Sequence, residues 1–577
     1  MLRARFSLGS SCFGVAMVMV AVGCASKKDT GGGADLTTDT GTSGGDGFTI
    51  DAGDEAPEGG TSLDGLDLQP SNGVVVIDTT TSPAKPGVIT FKAVSTKSDG
   101  TTEDVSGTAT FTISDPALGA FAGPTFTTVD TLPGGVKGTT AIVSANDGTH
   151  SGAANLTIIQ LRRQPDAPGT GDFYFEVPYK LAPTPDKDVL KFGTKIQQVD
   201  VDFVTDTTGS MGGTITNIQT NLETKLIPDL KKAIPSVGVA IVEYKDYPVC
   251  SHGGSTDFPA KVHQIITTDI TKAVAAVKLY SASGGADGPE SQIPAMWHSL
   301  TGGALVWSGG TVPKHTPKSG TTGGVDFRAG ALPVLVNITD VSWHDAARDP
   351  YCSSVTTPPD MAGLKKAFAT SKAKFINITS YDEAQADDLS DATKSYIPPG
   401  AFKTGAKDCP TGVGGASRPA TGPSGSCRLN FLHSGGSGVS DQVVRAIQAI
   451  SVGSIFDVTA QPENDTTNPP IVDGDPPVDA TKFIKALRAM AEGDTTAGCP
   501  AASTKDTDGD GIDDTFTGVK VGTPVCFEVI PTMNITVPPK KDAQFFNAYI
   551  NVLGMPGSIK LDQRRVLFLV PPKEIPK

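Results

Sequence analysis

Apolar residues follow three rhythms along the chain, and the changes of rhythm divide it. Short runs from Gly73 to Leu161 include Val74-Val75-Val76-Ile77, Ala109-Thr110-Phe111-Thr112-Ile113 and Leu156-Thr157-Ile158-Ile159, with Gly, Pro, Asp and Ser clusters between them. Several alternate at period two, which puts one face in a core and the other in water. The pattern predicts an N-terminal β-sandwich over residues 72–162. A proline-rich linker (163–196) follows, and the rhythm then lengthens. Val199-Asp200-Val201-Asp202-Phe203-Val204 predicts a strand; Ile215, Ile218, Leu222 and Leu226 recur at helical spacing, with Ile227 on the same face. Further strands are predicted over 237–242, 334–338 and 375–378. Helices are predicted after Asp269 and around Met361-Leu364-Phe368 and Val443-Ile447-Ile450. Strands alternating with helices predict a central α/β doubly wound domain over 197–460, with its ligand site at the carboxyl ends of the strands. The remainder, 461–577, predicts a helix after Asp479 (Phe483, Ile484, Leu487, Met490) and then a mostly β region.

The start of the chain has a different job. Arg3 and Arg5 precede an apolar stretch from Cys12 to Val22, after which Ser26-Lys27-Lys28-Asp29 is polar. The apolar run is about a dozen residues, short of the roughly 20 that cross a bilayer as a helix, and so reads as an export signal over 1–23. Ala21-Val22-Gly23-Cys24 resembles the lipobox of bacterial lipoproteins, although Ala21 stands where that family prefers Leu. The resemblance implies acylation of Cys24, and Ala25 in place of Asp implies the outer membrane. Residues 24–71 are rich in Gly, Thr, Asp and Ser and read as a flexible tether of roughly 35 Å that presents the rest at the cell surface.

Charge and cysteine content narrow the partners and the compartment. The formal net charge is −15, and losing Arg3 and Arg5 with the signal makes it −17. Such a surface repels nucleic acid and anionic headgroups, so membrane attachment falls to the lipid. Of eight cysteines, Cys12 and Cys24 belong to the signal and anchor, leaving Cys250, Cys352, Cys409, Cys427, Cys499 and Cys526. An even number suits an oxidising compartment; roughly 15 pairings are open to six cysteines. Neighbour pairing favours 409–427 and 499–526, which leaves 250–352, with free thiols open for any pair.

The chemistry centres on Asp206-Thr207-Thr208-Gly209-Ser210, directly after the first strand of the α/β region. Carboxylate and hydroxyl oxygens at alternate loop positions suit a hard cation. The spacing alone is weak, because Asp78-x-Thr80-x-Ser82 repeats it before Pro83 and Pro86, with no helix behind. The copy at Asp206 has partners: Asp287-Gly288-Pro289-Glu290, and Thr339-Asp340 after a strong apolar strand. Together they resemble the von Willebrand factor A domain of the integrin β-subunit type. The resemblance implies a metal-ion-dependent adhesion site that takes Mg²⁺ or Mn²⁺. Thr208, Ser210 and Glu290 would be direct ligands, with Asp206 and Asp340 acting mainly through water. Asp287 would belong to a possible adjacent metal site. The regulatory site of that family needs two Asp after the serine, and Met211-Gly212-Gly213-Thr214 lacks them. Ser114-Asp115-Pro116, Gly138-Thr139-Thr140-Ala141 and Asn146-Asp147-Gly148 resemble bacterial Ig-like domains and imply a spacer.

A second acidic loop, Asp506-x-Asp508-x-Asp510-Gly511-Ile512-x-Asp514, matches the beginning of a calcium loop, with Ile512 contributing through its backbone. Its twelfth position is Thr517 and not Glu, so the bidentate ligand is absent; Cys499 and Cys526 bracket the loop, and the expected role of Ca²⁺ is structural. No H-E-x-x-H, no Gly-Lys dipeptide and no elbow-placed G-x-S-x-G is present, and His344 reads as a rim residue. The expectation is a surface binding protein and not an enzyme, gripping a protein or matrix ligand through a carboxylate. The alternative is a structural envelope component with the same interaction domain.

Overall fold

A computed structural model of the chain describes residues 65–79, 81–136, 138–161, 173–381 and 384–575. The readings on the signal and on Cys24 lie outside the described residues, as does Thr80.

Every side chain of strand Gln198–Asp206 beyond the first is buried, as in a strand covered on both faces. Val199, Val201 and Phe203 enter one apolar cluster while Val204 enters another. This strand lies inside a six-stranded sheet in the order Lys261–Thr267, Ser236–Tyr244, Gln198–Asp206, Leu332–Ile338, Lys374–Thr379, Asn430–Leu432. Neighbours run parallel except for the antiparallel edge strand Lys261–Thr267. Helices Gly212–Asn221, Ile227–Ala233, Ile270–Val277 and Val439–Gly453 supply the first cluster. Gln292–Thr301, Met361–Ser371 and Ala384–Ala392 supply the second. Ile215, Ile218, Leu222 and Leu226 are buried as their spacing predicts. The helix widens to a π turn over Leu222–Leu226 just before Pro228, which has no N–H to donate. Asp269 and Asp360 cap their helices by accepting from Thr271 N at 3.0 Å and Gly363 N at 2.7 Å. Because the strands are parallel, Asp206, Tyr244, Ile338, Thr379 and Leu432 all end at one edge, and the loops after them gather there.

Three sequence-derived boundaries are corrected. Phe173–Glu176 and Asp188–Phe192, inside the stretch read as a linker, are strands. They pair with Ile559–Val570 and Val525–Pro531 respectively. Ile455–Asn464, placed partly in the α/β domain, pairs with Gln544–Met555 and Thr515–Lys520. Segments before and after the α/β region therefore build one β assembly of six and three strands, and the α/β domain is inserted into it. Period-two runs show that strands exist; they cannot show which strands, hundreds of residues apart, will pair. The helix expected after Asp479 is one 3₁₀ turn, Ala480–Phe483, followed by strand Ile484–Ala489 beside Val525–Pro531. Leu487 and Ala489 satisfy period two as well as a helix would have used Leu487, and strand pairing decided. Gly65–Gln69, inside the stretch read as tether, is a strand paired with Lys92–Thr96, because Leu66 and Leu68 are both buried. The N-terminal β region contains three small sheets around Leu68, Ile77, Phe91, Phe126, Val143 and Ile158. It meets the β assembly where Ile159 and Leu161 pack with Leu567 and Leu569.

Candidate metal centre

The loop after Asp206, the loop before helix Gln292–Thr301 and the loop after Ile338 meet at the carboxyl edge of the sheet. Asp206 is fully buried. Its Oδ1 accepts from Thr208 N at 2.9 Å and Thr208 Oγ1 at 2.7 Å, and its Oδ2 from Thr339 Oγ1 at 2.9 Å. Ser210 Oγ donates to Asp340 Oδ1 at 3.0 Å. The hydroxyl protons of Thr208 and Ser210 are thus held by carboxylates, which leaves their oxygen lone pairs free for a cation. Burial pushes the Asp206 carboxyl up to about 6, against the hydrogen bonds that lower it.

Glu290 is buried at the same place, and its Oε2 has no hydrogen-bond partner. Burial raises its carboxyl to about 10, with Asp206, Asp246, Asp287 and Asp257 adding repulsion. Gly285 lies across it at φ 77°; a Cβ there would come within 2.8 Å of Glu290 Oε1 and 3.1 Å of Thr208 Cβ. Only glycine serves at that turn. The backbone N–H groups of Gly254 and Gly285 both donate to Asp257 Oδ2, at 2.6 and 2.8 Å, and hold the turn in place. Ser210 is exposed and Asp340 partly so, which opens this corner to solvent.

Lys245 is buried beneath the loops, and its Nζ donates to the carbonyls of Thr207 and Ser283 and, at 3.3 Å, of Ser281. Its charge is committed to the backbone, and burial lowers its pKa. Sequence reasoning missed Lys245, Asp246 and Asp257. The signal for the first two was there: Tyr244-Lys245-Asp246-Tyr247 is a polar break right after an apolar strand.

Beside this corner, Asp246, His252, Asp287 and His344 have ligand atoms within 4.8 Å of one another, a grouping that can hold a metal ion. His344 is 3% exposed, so it is an interior residue and not part of the rim. The loops are joined by Cys250–Cys352; Cys409–Cys427 and Cys499–Cys526 are also bonded. In the acidic hairpin loop, Asp506, Asp508 and Asp514 come together, while Asp510 stays outside that group. Asp506 accepts from Gly509 N at 2.7 Å and Gly511 N at 2.9 Å, and Asp510 from Ile512 N at 2.7 Å.

Among the described residues no helix is long and apolar enough to cross a membrane. No family model matches the chain, and no curated protein matches it either. Among solved structures, a von Willebrand factor type A protein from Catenulispora acidiphila is similar at 10% identity, with 80% of this chain and 73% of that chain covered and a TM-score of 0.25, a likeness too loose to carry residues across.

Proposed function

We propose that this chain is an exported, lipid-anchored surface protein whose α/β domain binds partners through a divalent cation. The donor set is Asp206, Thr208, Ser210, Glu290 and Asp340, and the partner group is a carboxylate on a protein or matrix ligand. The observation that carries the reading is Glu290: a buried carboxylate with an unpartnered oxygen, facing the field of four other acids. Burying charge without compensation is costly, and a cation removes that cost. The donors are all hard oxygens, which favours Mg²⁺ or Mn²⁺ over softer ions.

Two hydroxyls and few direct carboxylates leave such an ion under-neutralised, so an acidic oxygen from a partner is the favoured addition. The chain's own residues set this up. Asp206 fixes Thr208, Asp340 fixes Ser210, and Gly285 keeps the space beside Glu290 open. The tether and the Ig-like spacer would lift the site from the outer membrane, and no catalytic role is assigned to it. The test is affinity capture from surface extracts with and without chelator, comparing wild type with Asp206→Ala. Partners retained equally in all four samples would end this reading.

A further inference from the structure

The second cluster at the same edge has a different chemistry, and its geometry stands without the Asp206 reading. Asp246 Oδ2 and His344 Nε2 are 3.0 Å apart, and His344 Nε2 is 3.4 Å from Asp287 Oδ2. Asp246 and His344 are 0% and 3% exposed, yet neither Asp246 Oδ2 nor His344 Nε2 has a hydrogen-bond partner. They are close without being aimed along an N–H direction. Ligands bound at about 2.1 Å to one ion stand ~3.0 Å apart at right angles and ~3.4 Å apart at the tetrahedral angle.

The surroundings prepare each group as a ligand. His344 Nδ1 lies 2.7 Å from the Asp349 carbonyl oxygen, which can only accept, so Nδ1 carries a proton. Burial opposes a second proton on Nε2, but Asp246 outweighs it and raises the pKa, and a cation would take that proton's place. Cys352 N donates to His252 Nε2 at 3.2 Å, which puts the His252 proton on Nδ1, 3.0 Å from Asp287 Oδ2. His252 therefore orients Asp287. Tyr351 OH donates to Ser291 Oγ at 2.7 Å, and Ser291 donates to Asp246 Oδ1 at 2.6 Å, leaving Oδ2 unused. The Cys250–Cys352 bond ties the two loops together across 102 positions. Asp287 is exposed and provides the way in.

We propose that Asp246, Asp287 and His344 form a second metal site of mixed nitrogen and oxygen ligands, selective for a transition ion such as Zn²⁺ over Mg²⁺ or Ca²⁺. The sequence resemblance supplies only Asp287; the other ligands come from the fold.

The probe is Co²⁺, added to the full chain carrying Ser210→Ala, which disables the first site. One equivalent should produce visible d–d absorption that Zn²⁺ removes and excess Mg²⁺ does not. Adding Asp246→Asn or His344→Gln should weaken Co²⁺ binding by at least about tenfold. Proton resonances of the seven histidines in the Ser210→Ala chain give a readout that needs no buried substitution: Zn²⁺ should shift His344. A His344 that titrates as an imidazolium and ignores Zn²⁺ would mean an ion pair only, and overturn the proposal. Undiminished Co²⁺ binding in a folded Asp246→Asn chain would overturn it too. Neither result touches the first site, which is judged by partner capture.

Discussion

Ser210 Oγ donates a 3.0 Å hydrogen bond to Asp340 Oδ1 across 130 positions of sequence. The contact closes because their two strands are parallel neighbours, with Thr205 opposite Ile338, so both loops leave the sheet side by side.

From this corner we expect Asp206→Ala, Ser210→Ala and Glu290→Ala each to lower metal occupancy and partner affinity together. The loss should be at least about tenfold, with excess Mg²⁺ or Mn²⁺ restoring part of it. The substitutions should destabilise less than a core truncation, which costs roughly 2–5 kcal/mol. Thr80→Ala, in the repeated spacing, should change nothing. Surface plasmon resonance across a Mg²⁺ titration reads this; identical binding by wild type and Glu290→Ala at every Mg²⁺ level would refute it.

Lys245 binds the loops below. Lys245→Met should remove the ammonium's bonds to the buried Thr207 carbonyl, which keeps only Ser283 N, and to the part-buried Ser283 carbonyl, and cost about 1–3 kcal/mol. Urea unfolding measures it, and an unchanged midpoint would show that water replaces the ammonium.

Asp202 gives a pH signature well inside the sheet. It is fully buried, neither oxygen has a hydrogen-bond partner of good geometry, and burial lifts its carboxyl to about 7. Nearby Ser299 lowers it only in part. The native state holds the proton longer than the unfolded chain does, so stability falls as pH rises from about 4 to 7. The loss approaches about 4 kcal/mol. Asp202→Asn should match wild type near the acid end and exceed it at about pH 8. Parallel stability–pH curves for the two chains would contradict the shift.

In the acidic hairpin, Ca²⁺ should raise the melting temperature. Saturation at 100 times Kd stabilises by about 2.7 kcal/mol. Asp508→Ala should remove most of the gain and Asp510→Ala less, because Asp510 lies outside the Asp506–Asp508–Asp514 group. Equal effects of the two substitutions in calorimetry would count against that grouping.

At the other end of the chain, Cys24→Ala should move the protein from the membrane fraction to the soluble fraction. Unchanged sedimentation with membranes would exclude the lipid anchor.

What the sequence determined by itself was local. Alternating apolar positions marked the core strands, helical spacing marked Ile215 to Leu226, and Asp269 announced its cap. The residues of the Asp206 corner were legible through the resemblance to the adhesion-site motifs; Asp206 and Asp340 also sit where an apolar run stops, whereas Glu290 lies in a polar loop before a helix. Lys245 and Asp246 sit at such a break as well, but no motif drew attention to them. The tertiary structure decided what depends on meeting across distance. It joined Phe173–Glu176 to Ile559–Val570, turned the expected helix at Ile484–Ala489 into a strand, and buried His344 against Asp246. Periodicity reports how one segment faces a core. Which partner segment supplies that core, and which polar groups are trapped together as it closes, is settled only when the whole chain packs.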